Sequence, residues 1–478
     1  MDFMMKPYSR FFLILVAFFA VKPAFSGTLT LEDYLSQVDG KNQNVISAKQ
    51  TSEGSGLSVK EAELMYAPVL FAQTEWDDNY FRNATFPEAY RSFFEDNYEI
   101  GVKELLPYGA NISVSYLLSH QGYLQAVDFV SGQVSDRKFW EGTPEVQATI
   151  SLWRNWMGSE TKATEEVTRA SALVTEYSSS YQVKTTRADA ENAYVRLVSA
   201  QQLVKVYDDS LENANDVLRW NDRRMKVNLG ESSDLMQAQA NVESSQLLLQ
   251  QSKDDLRVAA RDFNRLRNRD SDQLDEDLIL PSIENVQVPP RAELRDDVRA
   301  AQESAKLVAA QARLGEERNR PTLEAYGSFA ANDRELEPAE TFNGSFSLGQ
   351  QTTAFGLRFQ MPLAFGTRTD TVKGFAVQRE ASEALVVQKR FEQEVEWTGL
   401  TEQLTEAKRR YDIAVKLSAI QKRKVENERV RLKRGRTTTY QTLIFNIDFN
   451  SAEAARIQAQ GQVLAILAKL RTFGDSRL

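Results

Sequence analysis

One histidine, His120, and no cysteine stand among the 478 residues. Disulfides, thiolate chemistry and a lipid-modified cysteine all need a Cys and are excluded. Ser-His-Asp chemistry would rest on His120 alone, which follows "ISVSYLLS" and is expected to be a solvated loop residue. No Gly-x-x-x-x-Gly-Lys-Ser/Thr occurs, so no phosphate loop is expected. Carboxylates abound, with 67 Asp and Glu against 58 Lys and Arg, but the runs "DDSLENAND" and "DQLDEDL" read as solvated helix and loop faces. A formal net charge of −9 lacks the basic footprint that nucleic-acid binding requires. The expectation is a protein that is not an enzyme, with no catalytic residue, metal or cofactor.

What the chain does carry is a repeat. "KVNLGESSDLMQAQ" (226–239) and "KRGRTTTYQTLIFN" (433–446) are turn-like islands between long polar stretches with a sparse apolar rhythm. A shift of 207 residues places Asn228 on Gly435, and these are the residue types that most readily take positive φ. The same shift aligns the stretches before them. Leu197, Val204, Leu211 and Leu218 recur every seven residues, with Ala193, Ala200, Tyr207 and Ala214 between. Leu404, Tyr411, Ser418 and Val425, with Leu400, Ala407 and Ala414, repeat that seam in phase. A heptad with small seam residues marks helices that pair closely along a narrow stripe.

Upstream of each helical stretch lie segments with period-two alternation, the mark of half-buried strands. In "EVQATISLW", Val146, Ala148, Ile150 and Leu152 alternate with Gln147, Thr149 and Ser151. In "AFGLRFQMP", Phe355, Leu357, Phe359 and Met361 alternate with Arg358 and Gln360. Gly158 and Gly366 close these segments, and Pro68 and Pro321 open another alternating pair. Strands are therefore expected at about 69–77, 145–153, 322–331 and 354–362, with long helices over 158–266 and 366–473. At 1.5 Å per residue, each stretch before a turn would reach roughly 100 Å if continuously helical. Such a rod, and isolated strand pairs, require several copies of the chain to associate.

The first 26 residues, with Lys6 and Arg10 ahead of "FFLILVAFFAV" and Ala24-Phe25-Ser26 at the end, read as a secretory signal peptide. Residues 27–266 form the first repeat and 292–478 the second. The charged, proline-bearing stretch 267–291 reads as a linker. The first repeat is enlarged by an insert at about 82–144. Within it, residues 98–116 alternate around Pro107-Tyr108-Gly109 and are expected to fold as a separate hairpin; the alternative is an extra pair of barrel strands. No other run approaches the ~18 apolar residues of a spanning helix, although a β-barrel gives only a weak signal.

This duplicated pattern resembles the TolC-like family of outer-membrane efflux proteins over essentially the whole chain after residue 26. The family's helix-tip motif, Val-Gly-Leu or Val-Gly-Thr before a second helix, looks like Val227-Asn228-Leu229-Gly230 in the first repeat and Arg434-Gly435-Arg436 in the second. The resemblance implies an α+β membrane protein. A duplicated strand-strand-long helix hairpin repeat would form a homotrimeric, 12-stranded β-barrel continuous with a long α-helical barrel. It implies a passive channel in the Gram-negative outer membrane, bathed in outer-membrane lipid, with the helical tunnel in the periplasm. The tips would dock a periplasmic adaptor (membrane fusion protein), coupled to an inner-membrane transporter of RND, ABC or MFS type. It also implies a periplasmic gate near the tips: Asp234 matches an acidic gating position, its arginine partner corresponds to Thr437 beside Arg436, and Gln441 and Ile444 stand where relatives carry acids. Trp76, Trp153 and Trp156 would be membrane-interface aromatics. A secreted periplasmic coiled-coil structural or adhesin protein is the alternative function; it accounts for the heptads but not for four duplicated strands.

Overall fold

The structure, a computed structural model, describes residues 28–81, 89–274, 276–283, 286–347 and 349–475. The signal peptide expected over 1–26 lies outside the described residues. In chain order the elements are β1 (Thr28–Leu29), α1 (Leu31–Lys41), α2 (Gln43–Ser58), α3 (Glu61–Leu64), β2 (Val69–Asn79), β3 (Ser92–Leu106), β4 (Ala110–Val127) and β5 (Val134–Ser151). A short 3-10 turn at Trp156–Gly158 leads into α4 (Ser159–Lys226) and α5 (Ser232–Leu266). There follow β6 (Asp277–Leu278), α6 (Asp296–Arg318), β7 (Thr322–Ala331), β8 (Asp333–Glu335), α7 (Pro338–Gly344), β9 (Gln351–Gln360), α8 (Phe365–Lys433) and α9 (Thr439–Arg471). α4 has 68 residues and α8 has 69. The 207-residue shift maps the end of α4 onto the end of α8 and the start of α5 onto the start of α9. No helix among the described residues is long and apolar enough to cross a membrane.

The chain divides into two compact units. Among the described residues the first holds those within 28–38, 190–283 and 411–464, and so contains both turn islands. Its helices pack through the heptad seam: Leu197, Ala193, Ala200 and Ala214 are buried, as are Ala414, Ser418 and Val425. The stretch 267–291 begins here as more than a linker. β6 pairs in parallel with β1, and the Tyr194 hydroxyl donates to the carbonyls of Leu29 (2.7 Å) and Ile279 (2.9 Å). Arg267 is almost fully buried, with its guanidinium on the Phe263 ring and an ion pair to Glu276 at 2.9 Å. A buried guanidinium is tolerated because its donors are satisfied by Asn264, Glu276 and Gln37. Charge and proline content concealed this anchoring.

Among the described residues the second unit holds those within 39–189, 286–410 and 465–475, with one seven-stranded sheet of order β2-β3-β4-β5-β7-β9, β8 pairing β5. Every neighbouring pair is antiparallel. Two sequence expectations are corrected here. The 98–116 hairpin is not a separate excursion: β3 and β4 lie in the sheet between β2 and β5, giving six strands in the main path where four were expected. β5 also starts at Val134 rather than near 145, because Lys138, Gly142 and Pro144 break the apolar alternation over its first half. His120 is likewise no loop residue. It lies in β4, half-buried, stacked on Trp140 (ring centroids 4.3 Å apart), with Nδ1 3.3 Å from Asp96 Oδ2. The polar neighbours that suggested a loop are the alternate face of a strand.

Register places directly paired residues on the same face. One face carries Leu70 and Ala72 of β2, Val102 and Ile100 of β3, Val114 and Tyr116 of β4, Val146 and Pro144 of β5, Phe329 of β7 and, through Ala325, Leu357 of β9. The other carries Gln73, Glu99, Ser115, Glu145, Glu324 and Arg358. The apolar face is open: Leu357 is 70% exposed and Phe355 88%.

The joint from sheet to α4 is tight. Asn155, Met157 and Gly158 all have positive φ, and the β3–β4 turn, with Gly109 at φ +78°, packs on them. Arg154 clamps Glu160 through two hydrogen bonds of 2.7 Å, which hold the Glu160 carboxyl below its ordinary pKa. Gly366, its counterpart in the sequence alignment, sits instead in the first turn of α8 with open space around it.

Candidate functional site

The two turn islands are built alike. At the first, α4 ends in Arg223, Arg224 and Lys226, basic residues that suit a helix C-terminus. Asn228 takes φ +58° and its N–H donates to the Met225 carbonyl (3.0 Å), while the Leu229 N–H reaches back to the Arg224 carbonyl (2.9 Å). At the second, Gly435 takes φ +66°, its N–H donates to Leu432 (2.9 Å), and the Arg436 N–H donates to Arg431 (2.9 Å). This is a Schellman-type end in both repeats, with the left-handed residue where Asn and Gly were aligned.

A further pair was missed by sequence reading. The Arg224 guanidinium donates to the Leu229 carbonyl (2.8 Å), and Arg431, 207 residues on, donates to the Arg436 carbonyl (3.3 Å). Each arginine thus braces the turn that follows its own helix. Their identity under the 207-residue shift was the available signal.

Beneath the turns the two islands are tied together. Val217, Ala238, Leu432 and Leu443 form one buried cluster drawn from α4, α5, α8 and α9, with Leu218 and Trp220 against it. The Thr439 hydroxyl donates to Asn221 Oδ1 at 2.9 Å, with Thr439 1% and Asn221 2% exposed. A buried hydrogen bond of this kind sets position, because neither partner can be lost without stranding the other.

Above that base the tips face outward. Val227 and Leu229 are exposed apolar residues, Leu229 at 70%. Arg434, Gly435 and Arg436 are exposed, and neither arginine side chain has an ion-pair partner among the described residues. Gly230 is held close, since a Cβ there would meet Met225 N at 3.0 Å. Among the described residues no side-chain hydrogen bond or ion pair joins any two of the four residues assigned to a gate. The Thr437 hydroxyl is committed to Glu428, a buried carboxylate that also pairs with Arg431 at 3.1 Å. The Asp234 side chain is half-buried with no hydrogen bond or ion pair among the described residues, Gln441 is exposed and Ile444 is half-buried.

The three tryptophans lie in the other unit. Trp76 and Trp153 are exposed on or beside the sheet, Trp76 edge-on to Tyr98 (6.5 Å) and Trp153 tilted against Phe359 (6.4 Å), while Trp156 is exposed in the 3-10 turn. Among the described residues no group of His, Cys, Asp and Glu is placed to hold a metal ion.

The sequence matches no protein-family model and no curated protein. Its fold does match solved structures. The outer-membrane protein VceC of Vibrio cholerae aligns over 93% of this chain and 96% of its own, with a TM-score of 0.64 at 13% identity. The CmeC outer-membrane channel of Campylobacter jejuni aligns over 93% and 85%, with 0.62 at 14%. The MtrE outer-membrane channel of Neisseria gonorrhoeae, solved in an open state, aligns over 92% and 88%, with 0.63 at 16%. The chain therefore has the fold of TolC-like outer-membrane channels, a mixed helix and sheet architecture.

Proposed function

We propose that this chain is one protomer of a trimeric exit duct in a Gram-negative outer membrane. The duct conducts small molecules or proteins outward from a periplasmic adaptor and an inner-membrane pump, in efflux or type I secretion. The observation that carries this reading is the sheet: one face is apolar and open, the other polar, in a chain with a channel fold. A single copy leaves both sheet edges unpaired and that apolar face in water, and closure into a ring with lipid outside removes both faults. The polar face then lines the lumen. Four strands per chain, the sequence expectation, would give three copies twelve strands. Transport in the duct makes and breaks no bonds, so energy comes from the RND, ABC or MFS pump. A coiled-coil adhesin has no use for such a sheet.

The tips are the docking surface in this reading. Leu229 offers an apolar anchor and Arg434 and Arg436 offer free guanidinium groups to acidic adaptor residues. Leu229→Asp with Arg436→Glu is expected to leave trimer level and membrane insertion intact while abolishing export and adaptor cross-linking. Normal export from that double variant refutes the docking role. The duct itself is tested by fractionation and light scattering: recovery from outer membranes only in detergent, as a trimer, supports it. A stable helical monomer released by osmotic shock sinks it.

A further inference from the structure

We infer that the β3–β4 hairpin is part of the membrane wall, so that each chain contributes six strands and a ring of three copies is an 18-stranded barrel. The inference rests on the trimeric duct proposed above and concerns what its wall is made of.

Three observations carry it. First, the hairpin is inserted, not appended. β2 pairs with β3 along its whole length, from Val69↔Lys103 to Asn79↔Phe93, and β4 pairs with β5 from Ala110↔Ile150 onward. No described strand joins β2 directly to β5.

Second, the hairpin continues the apolar face in register. Leu106, Val102, Ile100 and Tyr98 of β3 stand level with Ala110, Val114, Tyr116 and Leu118 of β4. Ala110, Val114 and Tyr116 are level in turn with Ile150, Val146 and Pro144 of β5. Ile100, Val102, Ile112 and Val114 are exposed, as Ile150 and Leu357 are. The opposite face of the hairpin is mainly polar, with Asn97, Glu99 and Lys103 of β3 and Ser113, Ser115 and Ser119 of β4, interrupted by Leu105 and Leu117 and by Phe93 and Tyr123 at its far end. An extramembrane hairpin has no need of an apolar face matched to the wall beside it. Two charges interrupt that face, each toward an end. Glu104 lies two residues from Leu106, where the strand stops, and Asp96 is level with His120 and Trp140 beside Trp76. Aromatic residues at that level are what a membrane interface selects.

Third, the strand count allows closure. Six antiparallel strands leave β2 and β9 running in opposite directions at the two edges. The β9 edge of one copy can therefore pair antiparallel with the β2 edge of the next, and three copies close with no edge left. Barrel diameter grows roughly linearly with strand number, so the wall is about half as wide again as one of twelve strands.

The natural chain has no cysteine, so single cysteines can be placed and spin-labelled one at a time. The trimer is reconstituted in phosphatidylcholine–phosphatidylglycerol vesicles. Collisions are read with oxygen, which concentrates in the bilayer, and with a water-soluble nickel chelate. Labels at Ile100→Cys and Val114→Cys are expected to match labels at Ile150→Cys and Leu357→Cys, relaxed by oxygen and not by the chelate. Labels at Asn97→Cys and Ser115→Cys are expected to show the reverse. Chelate access at 100 and 114 with lipid exposure at 150 and 357 overturns the six-strand wall and leaves the duct standing. Chelate access at all four overturns both. As a second readout, Leu70→Cys with Val146→Cys, held roughly 14 Å apart by the two intervening strands, stays reduced under mild oxidant. A disulfide there overturns the inference, because it requires β2 beside β5.

Discussion

Replacing Gly158 by alanine adds one methyl group at the joint between β5 and α4, and the structure fixes what that methyl meets. Gly158 has φ +76°, and a Cβ built there lies 1.8 Å from the Pro107 carbonyl oxygen. Real Cβ atoms essentially never approach within 3.0 Å, so the β3–β4 turn must open by roughly 1.2 Å. The left-handed conformation costs an L-residue about 1–2 kcal/mol. Displacing packed backbone adds about 1–3 kcal/mol. The expected loss is about 2–5 kcal/mol per chain, drawn from the joint that passes the chain from sheet to helix. The control is built into the repeat. Gly366 aligns with Gly158, yet it lies in the first turn of α8 with nothing within 4 Å of a built Cβ. Gly366→Ala is expected to raise stability by no more than about 0.5 kcal/mol, because alanine's full advantage over glycine belongs to the middle of a helix and Gly366 is the second residue of α8. The assay is urea unfolding of the purified protein in detergent, followed by helical circular dichroism. A midpoint that falls for Gly158→Ala and stays unchanged or rises slightly for Gly366→Ala supports the reasoning. Shifts of the same sign, or an unchanged Gly158→Ala, refute it.

Thr439→Val strands the buried Asn221 Oδ1 and is expected to cost about 1–3 kcal/mol, read as faster deuterium exchange in the first turn of α9 and the last turns of α4. Arginine at Ile150 or Leu357, on the apolar face, is expected to cost about 2–4 kcal/mol and block membrane assembly, while Gln147→Arg and Gln360→Arg assemble normally; immunoblots of outer-membrane fractions decide it. Glu453 provides a pH signature: burial pushes its carboxyl up, but hydrogen bonds from Arg456 and Ser418 outweigh that and leave its pKa lowered. The unfolded chain then binds the proton first, so this stability is present above about pH 4.5 and is lost on acidification through the folded value. Thermal melts from pH 6 to pH 3.5 are expected to show a shallower acid loss in Glu453→Gln than in the natural chain.

The local periodicities alone determined the repeat, the long helices and the positions of the turns. Heptads report which stripe of a helix is buried, and Asn228 and Gly435 are the residue types that tolerate the φ of +58° and +66° found there. β2, β7 and the later half of β5 were legible for the same reason, since alternation reports two unlike faces. Tertiary structure decided what those elements join. A strand's pattern says which faces it has, not which strand it lies beside, so residues 98–116 were expected to fold as a separate hairpin, with an extra pair of barrel strands as the alternative. Only the register across β2, β3, β4 and β5 places them within the sheet. The Thr439–Asn221 bond and the clash awaiting a side chain at Gly158 are likewise pairwise facts between segments 218 and 51 residues apart, which no local window contains. Composition hid the anchoring of the 267–291 segment and the place of His120 because charge and polarity record solvent contact only on average. A buried Arg267 with every donor satisfied looks, in sequence, like any surface arginine.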